Sequence, residues 1–493
     1  MVTIHQKEDR GGFQKTTNFK WFLIGIFVFI TIGFIFPTPQ SLKNVAGEDA
    51  HHAQVMLALT LTSVIFFATE AIPIPGVAIF IAVSQILFGV RDFNEVPLSF
   101  AHDAVFFIAG TLAIASVLTK EDIDLRIGML VLKLSGGSTK RVVAGIVTIT
   151  ALTTPFISEH AIAAVFLPIG IILYRISTKK VKDRNLGRLL MLSIAFGCNL
   201  GGPGAPTGGV RNVLMIGFLH EFFDIEVGFL QWMKYGIFYP LLMIPLLTYI
   251  LLKIFKPEVK DMTFAIQQLR KELREKGKMT KRQWAVIAIF LFTLFLWVTD
   301  GNLIKILLGY RMGLGGIALL GALLYLIFGF ASWDDYQRGV AWGVVLIYAG
   351  AISLGRGLVF TKAGLWIAQI TISLLSRLGM DSGFPLLFFA GIVTSILSNV
   401  MGSSGATVAL LGPIILHLAE VSKTSLIGIG IGTSIASAFA FLFISGTPPN
   451  SIVYASGLVG ARDFLKAGIP VFLVSLVVYV FIVGVLWRFI GLP

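Results

Sequence analysis

Apolar runs long enough to cross a bilayer recur along the whole chain and limit the folds open to it. A helix needs about 20 apolar residues to span the hydrocarbon core. The alternating pattern of a transmembrane β-barrel does not appear, so we expect the spans to be helices. With 56% hydrophobic and 13% charged residues, the chain is too apolar for a soluble protein of this size. The sequence therefore predicts an all-α polytopic membrane protein with about eleven transmembrane helices.

The formal charge of +13 is carried by basic residues in short loops between the apolar runs. Cytoplasmic loop bias explains this pattern better than a nucleic-acid partner does, so none is expected. We predict a multi-pass protein of a bacterial-type inner membrane, with the N-terminus in the cytoplasm and the C-terminus outside. The first run, Trp21 to Phe36, has no small-residue cleavage site and is interpreted as a retained helix. Cys198 is the single cysteine, which excludes an intramolecular disulfide.

A polar tip lies between two apolar arms in the segment from Pro155 to Pro168. The tip carries Ser158, Glu159 and His160, and basic residues flank both arms. Both ends of the segment are therefore expected on the same side of the membrane, as in a re-entrant hairpin. At membrane depth, irregular backbone and ionisable side chains are tolerated only where they are buried in protein or line a cavity. We predict that this tip is functional.

The sequence pattern of the first half of the chain begins again after a basic linker. Phe-Gly pairs at 88 and 328 and Ala-Gly pairs at 109 and 349 share one offset of 240 residues, and Ser403 precedes Pro413 by ten residues as Ser158 precedes Pro168. Two copies of one unit are therefore predicted. The predicted domains are a tail with the first helix (1–50), a first repeat (51–254, hairpin 140–176, broken helix 189–222), a cytoplasmic linker (255–283) and a second repeat (284–493, hairpin 384–420, broken helix 424–457). An amphipathic interfacial segment is predicted at 121–135.

The second hairpin has acidic flanks and few basic ones, so it is expected to open to the outside while the first opens to the cytoplasm. Inverted-topology repeats with paired hairpins are typical of secondary transporters, with the substrate between the two tips. Each repeat also has a Gly/Pro-rich break after its hairpin: Gly208 to Asn212 in the first and Ser445 to Asn450 in the second. Such breaks free carbonyl oxygens for a cation and point helix N-termini at an anion. A plain kink in a packed helix is the alternative.

The hairpins, the breaks and the Thr69 to Pro73 stretch resemble the divalent anion/sodium symporter family, with Thr447-Pro448-Pro449-Asn450 as the most specific match. The resemblance implies an elevator-type homodimer that carries dicarboxylates, citrate or sulfate, with Na⁺ as the coupling ion and no other cofactor. It implies substrate contacts at Ser158, Glu159, His160, Arg211, Asn212, Ser403, Ser404, Gly405, Thr447 and Pro448. It implies sodium contacts at Ser403, Gly446 and Asn450 in a second site, and at Ser158 and Gly208 in a first site.

The tips and the first break depart from the family pattern. Where the family has Ser-Asn-Thr, this chain has Ser158-Glu159-His160 and Ser403-Ser404-Gly405, and Arg211 replaces a proline before Asn212. Arg211 either pairs with Glu159 and replaces a bound sodium, which we favour slightly, or binds the substrate while Glu159 or His160 carries protons. His160 is either a coupling residue or a structural donor. Sodium coupling through the first site is therefore in doubt.

The leading hypothesis is a secondary carrier of small di- or tricarboxylate anions. The alternatives are a carrier of sulfate or another anion, proton-coupled or an exchanger, and a cation/proton antiporter that uses Glu159, His160 and Arg211. A hydrolase is disfavoured because neither His-Glu-x-x-His nor Gly-x-Ser-x-Gly occurs. Arg356 is expected to snorkel or to pair with an acidic residue. Asn199 is expected near the first break, and Asn399 in a hairpin arm.

Overall fold

The computed structural model describes residues 18–123, 126, 136–179, 183–274 and 278–491. The predicted N-terminal tail up to residue 17 and most of the predicted amphipathic segment at 121–135 lie outside these residues. Every regular element in the described ranges is helical, and one isolated bridge pairs Ser138 with Asp261. Nine helical segments in these ranges are long and apolar enough to cross a membrane. The all-α fold is confirmed, and the number of eleven spans stays a prediction.

The first half of the chain contains the first hairpin and the first break. Its helices are α1 (Phe19–Ile30), α2 (Gln40–Ala46), α3 (Ala50–Thr69), α4 (Ile74–Leu87), α5 (Asp103–Lys120), α6 (Thr139–Thr153), α7 (Glu159–Ser177), α8 (Arg184–Gly201), α9 (Val210–Phe223), α10 (Phe229–Gly236) and α11 (Phe238–Ile254). The first hairpin is α6 and α7, and the first broken helix is α8 and α9. Between α8 and α9 lie two short 3₁₀ turns, each with a proline near its start, because proline cannot continue the α-helical hydrogen bonding.

The linker begins on the first half of the chain. The buried carboxylate of Asp183 accepts hydrogen bonds from the backbone of Leu186, Glu258 and Val259 at 2.6 to 3.0 Å. The backbone N–H of Thr139 donates to the carbonyl of Lys260 at 3.0 Å. These bonds tie the start of the linker to the ends of α6 and α8. The linker then forms the helix α12 (Thr263–Arg274).

The second half also contains a hairpin followed by a broken helix. Its helices are α13 (Lys281–Thr299), α14 (Lys305–Leu308), α15 (Gly313–Ile327), α16 (Trp333–Gly339), α17 (Trp342–Phe360), α18 (Ala363–Ser376), α19 (Gly383–Met401), α20 (Ser404–Val421), α21 (Leu426–Ser437), α22 (Pro448–Tyr454), α23 (Ala461–Phe481) and α24 (Trp487–Phe489). The second hairpin is α19 and α20, and the second broken helix is α21 and α22. The breaks of the two halves lie close together, because α8 packs against α22 and α9 packs against α20 and α21.

Two groups of buried apolar side chains hold the described helices together. The larger group joins α5 to both hairpins and both broken helices. The smaller group joins the four helices α1, α2, α3 and α4 to the end of α17 and to the tip of the second hairpin. The outer faces of these helices expose many large apolar side chains, among them Leu87, Tyr249 and Val477. Such exposure is expected where a helix faces lipid rather than water.

Candidate functional site

Each hairpin tip places a serine at the start of its second arm. Ser158 has a positive φ of 50°, and its Oγ accepts from the backbone N–H of Ala161 at 3.5 Å. In the second hairpin Gly402 has the positive φ, and the Oγ of Ser403 accepts from the N–H of Ala406 at 3.2 Å. Both serines are helix caps. Each cap uses one lone pair of its hydroxyl and leaves the other free, and the predicted contacts of both serines with substrate or sodium stay predictions.

Arg211 lies between the two tips. Its Nη1 donates to Glu159 Oε2 at 3.1 Å in the first tip and to Ser404 Oγ at 2.9 Å in the second. Arg211 is fully buried and Glu159 is 2% exposed. The ion pair of Arg211 with Glu159, which the first of the two alternatives for Arg211 predicted, is therefore present. Pairing offsets the cost of burying either charge alone, which is large in a medium of low dielectric constant.

The guanidinium of Arg211 fills the space beneath the first break. A methyl group at Gly202 would overlap Nη2, and one at Gly209 would lie 3.0 Å from Cζ. Within the part of the chain that the structure describes, Nη2 and Nε have no hydrogen-bond partner. The sequence predicted a substrate site midway between the tips. In the structure the Arg211 guanidinium bonds to both tips in this region, and the predicted substrate site stays a prediction.

Asn212 and Asn450 close the two breaks with the same pattern of hydrogen bonds. The Asn212 amide donates to the carbonyls of Gly202 and Ala205 at 2.8 and 2.7 Å. The Asn450 amide donates to the carbonyls at the equivalent positions, ten and seven residues earlier, at 2.9 and 3.0 Å. Both asparagines are fully buried. Each therefore satisfies backbone carbonyls that a broken helix leaves without partners.

Asn199 connects the first broken helix to the second break. Its amide donates to Asn450 Oδ1 at 3.1 Å, and its Oδ1 accepts from the Thr447 hydroxyl at 2.9 Å. The sequence placed Asn199 near the first break and did not predict this contact with the other half. Asn399, expected in a hairpin arm, also holds the second break, because its amide donates to the carbonyl of Phe439 and its Oδ1 accepts from the N–H of Leu442. Asn399 is 2% exposed.

A cavity of about 420 Å³, which we call the tip cavity, opens beside the first tip. The N-termini of α7 and α9 both open into it, and helix N-termini attract negative charge. Its polar lining comes from seven side chains: Thr111, Ser116, Thr119, Ser158, Glu159, His160 and Thr207. Its apolar walls come from α5, α7, α9 and the segment 341–344. The arrangement suits a small anion with a carbon skeleton.

The predicted residues of the second tip stand apart from this cavity. Gly405 packs so closely against Val210 that a Cβ there would lie 2.5 Å from a Val210 methyl group. Val210 lines the tip cavity, and Ser403, Ser404 and Gly405 are not among its described lining residues. Of the second break, Thr447 and Gly446 are buried, and Pro448 is the first residue of α22. Gly208 lines the cavity. The structure thus brings the first tip and first break together around one cavity.

Arg356 pairs with an acidic residue, as one of its two predicted alternatives stated. Its Nε donates to Glu221 Oε1 at 2.7 Å, and His102 Nε2 lies 3.3 Å from Glu221 Oε2. Glu221 is near the C-terminal end of α9, which begins beside Arg211. One helix therefore carries ion pairs at both of its ends. Glu221 and His102 were not singled out in the sequence, where a carboxylate near the end of an apolar run predicts only an interfacial position.

Comparison with solved structures identifies the fold. The chain superposes on MtrF of Neisseria gonorrhoeae, described as one of a class of antimetabolite efflux pumps, with a TM-score of 0.54 and 12% identity over 92% of this chain and 98% of that one. It superposes on the YdaH transporter of Alcanivorax borkumensis with a TM-score of 0.55 and 14% identity over 81% of this chain and 89% of that one. At such low identity the likeness shows the fold alone.

Sequence comparison identifies the family. The chain is 24% identical to the sodium-dependent dicarboxylate transporter SdcS of Staphylococcus saprophyticus, over 87% of this chain and 85% of that one. It is 27% identical to the sodium-dependent high-affinity dicarboxylate transporter 3 of Caenorhabditis elegans, over 82% and 78%. The model of the sodium:sulfate symporter transmembrane region matches residues 16–492. The predicted family is thus confirmed: this integral, multi-pass membrane protein belongs to the sodium:sulfate symporter family and is a secondary transporter of anions, not an enzyme.

Proposed function

We propose that this protein carries small di- or tricarboxylate anions, and that Arg211 takes the place of the sodium ion at the first site. The observation that carries the proposal is the buried guanidinium beneath the first break, within hydrogen-bond distance of Glu159 and Ser404. A fixed cation at that point repels Na⁺, since two unit charges a few ångströms apart in a protein interact by several kcal/mol. The N-termini of α7 and α9, which open into the adjoining tip cavity, supply positive potential for an anion there.

The second break keeps the Thr-Pro-Pro-Asn sequence that resembles the family, at residues 447–450. The position that corresponds to Arg211 is Pro449, which carries no charge. We therefore propose one sodium site, formed near Ser403, Gly446 and Asn450, as the coupling site of this chain. An elevator-type movement of the hairpins and broken helices in a homodimer, with the first hairpin facing the cytoplasm, is the transport mode we propose by analogy with the family. It rests on the repeated order of the elements and on the matching roles of Asn212 and Asn450.

The first prediction concerns sodium. Purified protein in liposomes is expected to take up or exchange succinate or citrate, with a Hill coefficient for Na⁺ of about one, because a single sodium site cannot produce cooperativity. Radiolabelled succinate, citrate and sulfate are measured under sodium and proton gradients, with protein-free liposomes as the control. A Hill coefficient near two would contradict the loss of the first site. Absence of flux for all three anions would contradict the carrier itself.

The second prediction concerns His160, which lines the tip cavity beside the N-terminus of α7. A histidine side chain gains a proton, and with it a positive charge, as the pH is lowered. A positive charge at this point strengthens the binding of an anion, so we expect KM for the transported carboxylate to fall as the pH is lowered. The His160→Gln variant is expected to lose this pH dependence while kcat changes little. If transport is instead coupled to protons, we expect kcat of this variant to fall together with its proton-driven accumulation.

His417→Gln is the matched control for His160. His417 lies in the second hairpin, where its Nδ1 is 3.0 Å from Glu420 Oε2, and it is not among the described residues of the tip cavity. The control is expected to keep the pH dependence of the native protein. If His160→Gln also keeps it, His160 is a structural donor and the pH response belongs to the substrate's own carboxyl groups.

A further inference from the structure

A cluster of basic side chains that the proposed function does not use lies where three helices end. There α11 packs against both α8 and α23. The cluster, which we call the basic cluster, consists of Arg184, Lys253, Lys256, Arg462 and Lys466. All five side chains are exposed, and none of them forms an ion pair within the residues that the structure describes. The cluster lies at the linker end of these helices, because Lys256 is the second residue of the linker.

Contacts between the helix ends bring the basic side chains together. Lys466 Nζ of α23 lies 5.5 Å from the centre of the Phe255 ring at the end of α11. The side-chain amide of Asn185, in the first turn of α8, donates to the carbonyl of Lys256 at 3.1 Å. The three helix ends therefore place their positive charges on one patch of the protein surface.

The acidic residues of the same helix ends do not balance this charge. Six basic and three acidic residues lie in the segments 183–188, 253–258 and 461–466. Two of the three carboxylates are already bonded, because Asp183 accepts from three backbone N–H groups and Asp463 pairs with Arg188 at 3.0 Å. The third carboxylate belongs to the exposed Glu258. An excess of positive charge therefore remains among the described residues of the patch.

An apolar stripe on α23 starts at the basic cluster. Its members are spaced four residues apart and are 38–69% exposed: Leu465, Ile469, Leu473 and Val477. Side chains four residues apart are neighbours on the surface of a helix, so the stripe is continuous. At 1.5 Å per residue it is about 18 Å long, close to the roughly 15 Å of one leaflet of the hydrocarbon core. Arg462 and Lys466 lie at the end of the stripe, where a lipid headgroup would be.

A basic cluster joined to an apolar stripe fits one kind of ligand. A soluble anion uses the charges alone, and an uncharged lipid uses the stripe alone. Each basic residue beside an anionic lipid strengthens binding about fivefold. We propose that one anionic phospholipid of the surrounding bilayer binds here, with its phosphate at the basic cluster and an acyl chain along the stripe. The headgroup links the start of α8 to α11 and α23 and stabilises their contact. The site does not depend on the identity of the transported substrate.

The third prediction tests this lipid site. Lys253→Gln with Lys466→Gln is expected to raise Kd for dioleoyl phosphatidylglycerol about thirtyfold, because two of the charges that hold the phosphate are lost. Binding is measured by native mass spectrometry of the full-length protein in a neutral detergent. The rise in unfolding temperature on adding the lipid is the second measurement. Dioleoyl phosphatidylcholine, which has the same chains and no net charge, is expected to stabilise neither protein to this extent.

Lys20→Gln with Lys278→Gln is the matched control, because both side chains are exposed and lie outside the basic cluster. The control is expected to bind phosphatidylglycerol as tightly as the native protein does. Equal Kd values for the native protein and for Lys253→Gln with Lys466→Gln overturn the proposal. Phosphatidylcholine that binds as tightly as phosphatidylglycerol also overturns it.

Two water-soluble probes distinguish a lipid from a free anion. Inorganic phosphate and glycerol phosphate carry the charge of the headgroup without acyl chains. Both are expected to leave the unfolding temperature unchanged at the concentration at which phosphatidylglycerol saturates the protein. Equal stabilisation by either probe would show that the patch binds a soluble anion and would refute the lipid. Dihexanoyl phosphatidylglycerol is expected to bind more weakly than the dioleoyl form, because its short chains cover less of the stripe. Equal binding of the two forms would refute the role of the stripe.

Discussion

Replacing Arg211 with methionine is expected to destabilise the protein by about 3–5 kcal/mol and to abolish anion uptake, because the change leaves Glu159 buried without a partner. Methionine keeps much of the volume of the arginine stem, so the loss reports the charge rather than a cavity. Glu159 is 2% exposed and its carboxylate lies 3.1 Å from Arg211 Nη1. The unfolding temperature in detergent and succinate or citrate uptake in liposomes are the two measurements.

The double variant Glu159→Gln with Arg211→Met separates charge from packing. Removing both charges is expected to restore most of the lost stability, since replacing a whole buried ion pair costs far less than breaking it. Uptake is expected to stay absent, because the guanidinium that bonds to Ser404 of the second tip is gone. If the double variant is no more stable than Arg211→Met alone, the two side chains do not depend on each other, and the proposed role of Arg211 as a fixed cation fails.

Replacing Asn450 with alanine is expected to be more harmful than replacing Asn212 with alanine. Asn450 makes three hydrogen bonds through its side chain, to Ala440, Phe443 and Asn199, whereas the described contacts of Asn212 are two. Each buried polar group left without a partner costs about 1–3 kcal/mol. Asn450→Ala is therefore expected to lower the unfolding temperature further and to raise the sodium concentration needed for half-maximal uptake.

Asn44→Ala is the control for this comparison, because the Asn44 side chain is exposed and bonds only to Gln40 among the described residues.

The sodium concentration needed for half-maximal uptake distinguishes the two breaks. If Arg211 takes the place of sodium at the first break, as proposed, Asn212→Ala is expected to weaken uptake without changing its sodium dependence. An equal rise in the sodium requirement for both variants would show that both breaks bind sodium and would contradict the proposed single site.

The architecture was predictable because the signals for it are local. Apolar runs of spanning length, prolines and glycines inside them, and basic or acidic flanks indicate the helices, the breaks and the hairpins without knowledge of any long-range contact. The pairing of Glu159 with Arg211 was also one of the two alternatives predicted from the sequence. A carboxylate and a guanidinium in apolar surroundings each need a partner, and few other charges lie at that depth.

The contacts between the two halves were not predictable in this way. Neither hydropathy nor repeat offset indicates which side chain of one half meets which break of the other, so the link from Asn199 to Asn450 and Thr447 was missed. The bond from Arg211 to Ser404 was missed for the same reason. The two ion pairs of Glu221 could not be predicted from the sequence, because the partners, His102 and Arg356, are 119 and 135 residues away in the chain.

The spacing of the buried ion pair bears on how the chain enters the membrane. Arg211 and Glu159 are separated by 52 residues within the first half, whereas Ser404 follows Arg211 by 193. An unpaired arginine at the centre of a helix costs about 2.5–3.5 kcal/mol during insertion. Since Glu159 is synthesised first, its charge is available when Arg211 leaves the ribosome, long before the second tip exists. We therefore expect the pair to form early in assembly, and we expect the loss of Glu159 to impair membrane insertion before transport begins.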